Sequence, residues 1–423
     1  MTTLWILLAL LALLLCRIPV AFALGGIGLS LLYVKGFSLA MVPLTLYGSM
    51  DNFVLLSVPL FLLMSNILLK GGVGKDLFTA VQSWVGHWPG GLGIATIISC
   101  AIFSAISGSS LATAATIGTV AISEMTARGY SRPFVLGLVA AGGTLGILIP
   151  PSIPMIVYGV ITEESIVSLF LAGIGPGLLL AACFIIYCFL YGKFSSSYQP
   201  VAKATPAERG TATLKTIPTI CIAGIVIGGI YAGWFTPTES AGIGFSLSLL
   251  LVTAMRRMSW GMLYVAVQES MVTTVTLFLI VAGAKLFGKA ITLYRIPQEI
   301  SLLITSNISE PAMFVFLICM VLLLMGFFLE SMSMLLIMMP VIYPSLGGLG
   351  IDPIWFAVIF VIMIECALIT PPVGLNLFVI QAVSQAPLGE VIRGVWPFIL
   401  MLAGSIILLW FIPDLALYIP FKM

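Results

Sequence analysis

Charge is scarce in this sequence. Lys, Arg, Asp and Glu make up 8% of the 423 residues, where soluble domains carry about a quarter, and the mean hydropathy is +1.22. So few charges cannot clothe a water-facing surface, which excludes a soluble globular protein and makes lipid the solvent. A net charge of +2, with basic residues scattered between apolar runs, excludes a nucleic-acid partner. His87 is the only histidine. A zinc or haem site is therefore almost without ligands, and a Ser-His-Asp hydrolase would have to use a base beside Trp88-Pro89. Neither a transition metal nor an organic cofactor is expected. The seven cysteines lie inside apolar runs without metal-ligand spacing and read as reduced core residues. No basic residue precedes the first apolar run and no small-x-small cleavage pattern ends it. It reads as a retained helix rather than a signal peptide.

What the chain does have is the same interruption twice. Pro150-Pro151 and Pro371-Pro372 each fall inside an apolar stretch, 221 positions apart. The same offset pairs Gly173 with Gly394 and Pro176 with Pro397, so the chain reads as a duplicated membrane protein. A helix broken near mid-membrane leaves backbone groups that hydrocarbon cannot satisfy, and it persists only where it lines a solvated cavity or holds an ion. Two such helices in corresponding positions of two halves point to a secondary transporter and to its site.

Ten apolar runs have the character of spans. Two further stretches, 91–125 and 312–343, exceed one crossing of about 20 residues and carry small or polar residues at their centres. They read as re-entrant hairpins. Lys and Arg set the orientation: the polar segment 193–215 is placed in the cytoplasm, and the 236–240 turn, Glu163-Glu164 and Asp352 outside. In that trace the first hairpin enters from the cytoplasm and the second from outside. The halves are thus inverted. Lys285, Lys289 and Arg295 depart from the charge bias and fall outside or in a cavity.

The expected fold is an all-α polytopic membrane protein, an inverted repeat with two re-entrant hairpins and two broken helices. Residues 1–90 supply scaffold helices and a first interfacial arm, and 91–165 the first half of a transport unit, with its hairpin at 91–125 and broken helix at 134–162. Residues 166–310 give further scaffold with a second arm. The second half of the transport unit follows at 312–382, with its hairpin at 312–343 and broken helix at 355–382, and a terminal scaffold helix lies in 395–423.

An alkali cation takes several oxygen ligands, which a broken helix facing a hairpin tip supplies as freed carbonyls and nearby hydroxyls. In the first half this places sodium among Ser107, Gly108, Ser109, Gly143, Thr144 and Pro150. In the second it uses Glu330, Ser331, Ile369, Thr370 and Pro371. Half-helix N-termini after the prolines suit an anionic group, with Ser110, Thr113, Pro151, Ser152, Gly374 and Asn376 as candidate substrate contacts. Glu330 and Glu365 lie within membrane segments and are functional candidates. Their bland roles are a backbone hydrogen bond at the tip for Glu330 and a pairing with Lys285 or Lys289 for Glu365.

At Ile106-Ser107-Gly108-Ser109-Ser110-Leu111-Ala112-Thr113, Gly146-Ile147-Leu148-Ile149-Pro150-Pro151-Ser152, Phe235-Thr236-Pro237-Thr238-Glu239-Ser240 and Ile369-Thr370-Pro371-Pro372-Val373-Gly374-Leu375-Asn376 the chain resembles the large membrane subunit of tripartite ATP-independent periplasmic (TRAP) transporters, the DctM/SiaM type of the ion transporter superfamily. The resemblance implies a sodium-coupled, elevator-type importer in the bacterial inner membrane, with no catalytic residues. It also implies two partners, a small four-helix membrane subunit, expected as a separate polypeptide, and a periplasmic substrate-binding protein. The implied substrate is an organic acid such as a C4-dicarboxylate, sialic acid or another sugar acid. A stand-alone sodium/carboxylate or oxyanion carrier of the same superfamily is the alternative, with an intramembrane enzyme behind it.

Overall fold

The structure is a computed structural model that describes residues 2–195, 198–307 and 310–422. Among them the chain forms twenty α-helices and one short 3-10 turn. In the first half, α1 (Thr2–Leu15), α2 (Val20–Val34) and the short α3 (Met41–Met50) lead through the 3-10 turn Phe53–Leu56 to α4 (Ser57–Lys70) and α5 (Val73–Val85). The hairpin helices α6 (Gly91–Ser107) and α7 (Ser110–Ala127) follow, then α8 (Arg132–Leu148), α9 (Ile153–Thr162) and α10 (Ile166–Phe194). The second half runs α11 (Pro206–Tyr231), α12 (Pro237–Ala254), α13 (Trp260–Leu293), α14 (Ile296–Asn307), α15 (Pro311–Met325), α16 (Ser331–Gly348), α17 (Pro353–Ile369), α18 (Leu375–Ser384), α19 (Leu388–Phe411) and α20 (Asp414–Lys422). Helices α16 and α17 begin and end 221 positions after α7 and α8.

Two helices make the centre. Every residue of α8 from Phe134 to Leu148 is buried, as is every residue of α17 from Ile354 to Ile369. Apart from Thr144 and Glu365 both are apolar around the whole helix, which is stable only when neighbours surround it. Around them α7 packs on α18 and α16 packs on α9. Each half thus lays its hairpin on the half-helix that follows the other half's break. That exchange is what a pseudo-two-fold inverted repeat produces, and the predicted duplication is the fold. Outside this unit, α2 packs on α13 and α4 on α12, with α11 beside α5 and α12. Here large apolar side chains such as Phe22, Leu250 and Val272 are exposed, as befits a surface in lipid. Seven stretches among the described residues are long and apolar enough to cross a membrane, Arg132–Thr162 and Leu388–Phe411 among them.

The structure departs from the sequence reading in four places. The second arm, read at 257–270, and the span after it, read at 271–284, form one helix of 34 residues that runs on to Leu293. Its polar residues find partners in α4 rather than marking a boundary: Glu269 accepts from Lys70 at 2.7 Å, and Asn66 donates to Ser270 at 2.8 Å. The polar segment 193–215 is helical from Pro206, because Thr205 and Glu208 form a capping box with proline at the first helical position. Residues 196–197 of that segment, and 308–309, lie outside the described residues. Helices α5, α14 and α20 were not anticipated. Helices α10 and α19, read as scaffold, pack on α6, α8, α17 and α18.

Candidate cation and substrate site

The first tip is held by backbone contact. Helix α6 ends at Ser107, Gly108 takes the left-handed conformation at φ +60, and Ser109 caps α7 by accepting from the Ala112 amide. Ser107 Oγ and Thr113 Oγ1 share a hydrogen bond at 2.8 Å, sealed from solvent. The tip beds into α8 because two glycines there leave room. A Cβ on Gly146 would stand 2.7 Å from the Ser109 carbonyl oxygen, and one on Gly143 would stand 3.0 Å from that of Ser110. On the other side, a Cβ on Gly108 would stand 2.5 Å from the Pro151 carbonyl oxygen. Tip, helix and break therefore meet main chain to main chain. Pro150 and Pro151 carry no N–H, so the carbonyls of Gly146 and Ile147 lose their helical donors at this junction. Several main-chain oxygens and the Ser107 and Ser109 hydroxyls share one small region, a donor set that fits a hard monovalent cation.

The second tip is built differently. Gly326 lies against Ala367 of α17, and Glu330 forms the N-cap position of α16 without a side-chain capping bond. Its carboxylate faces the Ser333 hydroxyl, so the expected backbone bond at the tip is not made. Thr370 ends α17 and donates to the Cys366 carbonyl at 2.6 Å. The break at Pro371-Pro372, whose peptide bond is cis like that of Pro150-Pro151, removes the donors for Ala367 and Leu368. The Thr370 amide reaches Ala367 from one residue nearer, at 3.2 Å. Gly374, at φ +40, lies against the Leu368 carbonyl. Ser331, Thr370 and Pro371 are half-buried, whereas Ser107, Ser110 and Thr113 are fully buried. The second site is the more open of the two.

Among the remaining candidates, Ser152 caps α9 by accepting from the Met155 amide. Thr144 turns its hydroxyl onto its own helix, donating to Ala141 at 2.6 Å. Asn376, at 0% exposure, has neither amide atom hydrogen-bonded. Glu365 is 2% exposed with both carboxylate oxygens unsatisfied, and it faces the Ser110 hydroxyl of the other half without closing a hydrogen bond of ordinary geometry. The predicted pairing of Glu365 with Lys285 or Lys289 is therefore wrong: neither lysine is ion-paired among the described residues, and both line a separate cavity. Two unsatisfied polar side chains this deep each carry a desolvation cost of about 1–3 kcal/mol or more, an arrangement that points to a ligand. Gly146 is the residue the sequence reading left out. Its signal was its position, one turn before Pro150.

Residues 7–415 match the sequence pattern of the family described as "Tripartite ATP-independent periplasmic transporter, DctM component". The chain is a TRAP transporter large membrane subunit. Among relatives of this TRAP subunit, the C4-dicarboxylate TRAP transporter large permease DctM of Pseudomonas aeruginosa is 37% identical over 393 residues, covering 93% of this chain and 92% of the relative. The ectoine/5-hydroxyectoine large permease UehC of Ruegeria pomeroyi is 35% identical over 366 residues, covering 86% and 85%. In fold the subunit is similar to the YdaH transporter of Alcanivorax borkumensis, with a TM-score of 0.60 over 89% of this chain and 88% of that one at 14% identity. That likeness concerns architecture alone.

Proposed function

We propose that this TRAP subunit is the moving part of a sodium-driven importer of organic acid anions in the bacterial inner membrane. The observation that carries this is the junction of Gly108, Ser109, Gly146 and Pro151, where a hairpin tip and a helix break meet through oxygen-bearing main chain, the prolines leaving the Gly146 and Ile147 carbonyls without helical donors. Sodium bound there and at Thr370-Pro371 would fix both tips against their breaks. The N-termini of α9 and α18, carrying positive partial charge, then favour a carboxylate near Ser110, Ser152 and Asn376. The mobile unit comprises α6 to α10 and α15 to α19, sliding as an elevator against α2, α4, α12 and α13, which serve as scaffold. The partners are a small four-helix membrane subunit and a periplasmic protein that captures the anion. The central unit offers no Arg clamp of the kind that captures carboxylates at low concentration: Arg128 and Arg132 stand at helix ends, Arg132 contacts Glu390, and Arg393 of α19 is exposed.

Reconstitution of the two membrane subunits in vesicles tests this reading. Uptake of the acid that the cognate binding protein carries should require both that protein and an inward sodium gradient. Saturable uptake without the binding protein would return the chain to the stand-alone carriers, and uptake indifferent to sodium would remove the coupling ion. The relative named for ectoine makes a zwitterion the second substrate to offer.

Orientation has its own expected result. In a background cleared of reactive thiols, Ala202→Cys and Ala232→Cys, both at exposed positions, should label with an impermeant maleimide from opposite sides, Ala202→Cys from the cytoplasm. Labelling of both from outside would overturn the assignment of 193–215 to the cytoplasm and the inversion sense that depends on it.

A further inference from the structure

A cavity of about 660 Å³ lies where the outer layer meets the central unit, between α3, the end of α9, α13 and α16. Its polar lining is Thr45, Ser49, Glu163, Lys285, Lys289 and Thr292. The charges on this wall do not balance. Lys285 and Lys289 are one turn apart on one face of α13, close enough to repel, and Glu163 is the one acid in the lining. Helices α3 and α16 bring no charged residue at all. The neighbouring Glu164 is engaged by the Tyr343 hydroxyl at 2.7 Å. Glu163 is an electrostatic neighbour of Lys285 but not an ion-pair partner. Two ammonium groups beside a low-dielectric wall with a single acid make a field that concentrates anions. The volume is that of a site for a small organic ligand.

We propose that Lys285 and Lys289 form a second anion site, a waiting position that holds the carboxylate of the cargo before it reaches the broken helices. The lysines stand on α13, and the opposite wall is the unit proposed to move. Leu336 and Pro340 of α16 line the cavity, five and nine residues beyond Ser331, or roughly 8–14 Å along the helix. Helix α9 runs from Ser152 at the first break to Glu163 in the lining. The cavity thus adjoins both candidate sites through helices that begin at them. This proposal rests on the reading of the cargo as an organic anion.

The test reads binding without transport. Pyridoxal phosphate, an aldehyde bearing a phosphate, is added to the purified membrane complex. Its aldehyde condenses with a lysine amine with loss of water, borohydride reduces the imine to a stable secondary amine, and peptide mass spectrometry locates the adduct. Lys285 and Lys289 should label about tenfold faster than the exposed Lys203, and millimolar succinate or sulfate should protect them. K289Q should slow labelling at Lys285 several-fold while K289R does not, with both variants eluting as wild type does. Rates equal to that of Lys203, or no protection by either anion, would overturn the site. So would labelling suppressed only in phosphatidylglycerol nanodiscs and not by succinate, which would assign the lysines to lipid headgroups. Protection by succinate in a complex that transports no anion would leave this site standing and sink the import reading. Sodium-driven uptake in a complex whose lysines go unprotected would do the reverse.

Discussion

Gly108→Ala should weaken sodium activation of uptake at least about tenfold while the protein still folds. The left-handed conformation at φ +60 costs an alanine about 1–2 kcal/mol, and the new methyl would stand 2.5 Å from the Pro151 carbonyl oxygen. Pro151 cannot yield without moving the break, so the tip must back away from it by roughly 0.5–1 Å to reach ordinary contact. Binding constellations tolerate about 0.5 Å. The oxygens of Ser109 and the Gly146 turn would no longer converge, and half-maximal activation should need at least about tenfold more sodium, or about 1.4 kcal/mol of lost binding. Gly210→Ala, with nothing within 4 Å of its added methyl, should change neither yield nor sodium dependence. Both variants can be compared by size exclusion and by uptake across a sodium series. Wild-type sodium activation in Gly108→Ala would mean that this junction does not bind the coupling ion.

Gly108 also shows why so much of this site was legible in the sequence. A double proline removes two amide donors wherever it falls, and a Ser-Gly-Ser-Ser run in an apolar hairpin announces a turn. Both are local facts that need no tertiary information, and the helix bounds at Leu148, Ile153, Ile369 and Leu375 follow the prolines directly. The duplication was legible for the same reason, since a fixed offset survives in the spacing of the breaks.

Other features depend on partners. The continuity of α13 could not be read because Gln268 and Glu269 resemble the end of an interfacial arm until Lys70 and Asn66 of α4 are seen to meet that stretch. Helix α5 carries Lys75 and Asp76 in its first turns, and Asp76 pairs with Arg257 across 181 positions, so mean hydropathy conceals a helix that packs on the first hairpin. Glu365 is the sharpest instance. The sequence reading paired it with Lys285 or Lys289, yet it faces Ser110 of the other half, because the two halves interleave, with α7 on α18 and α16 on α9. Pairings between inverted halves are set by the two-fold exchange, which no periodicity within one half encodes.

Gly394→Leu should leave almost no folded protein, while Gly404→Leu on the same helix should be tolerated. A Cβ on Gly394 would run into the Pro133 carbonyl and the Gly137 amide of α8, and one on Gly137 would run into the Gly394 carbonyl. The two backbones therefore touch with no side chain between them, the close approach that small residues permit in membranes, where dispersion between surfaces replaces the hydrophobic drive. A methyl alone at Gly394 should cost about 3 kcal/mol. An isobutyl group has nowhere to go, because α8 is buried on every face. Nothing stands within 4 Å of Gly404. The crossing is not duplicated in the other half: the position 221 residues after Gly137 is Val358, and the counterpart of Gly394, Gly173, meets the Leu148 carbonyl and Met155 instead. This crossing lies within an extensive interface between the first half's broken helix and the second half's last long helix, so that α8 and α19 would travel together in the proposed movement. Yield in membranes and the melting temperature in detergent decide the matter. A Gly394→Leu variant that accumulates and melts as wild type does would show that α19 can separate from α8, and would return it to the scaffold.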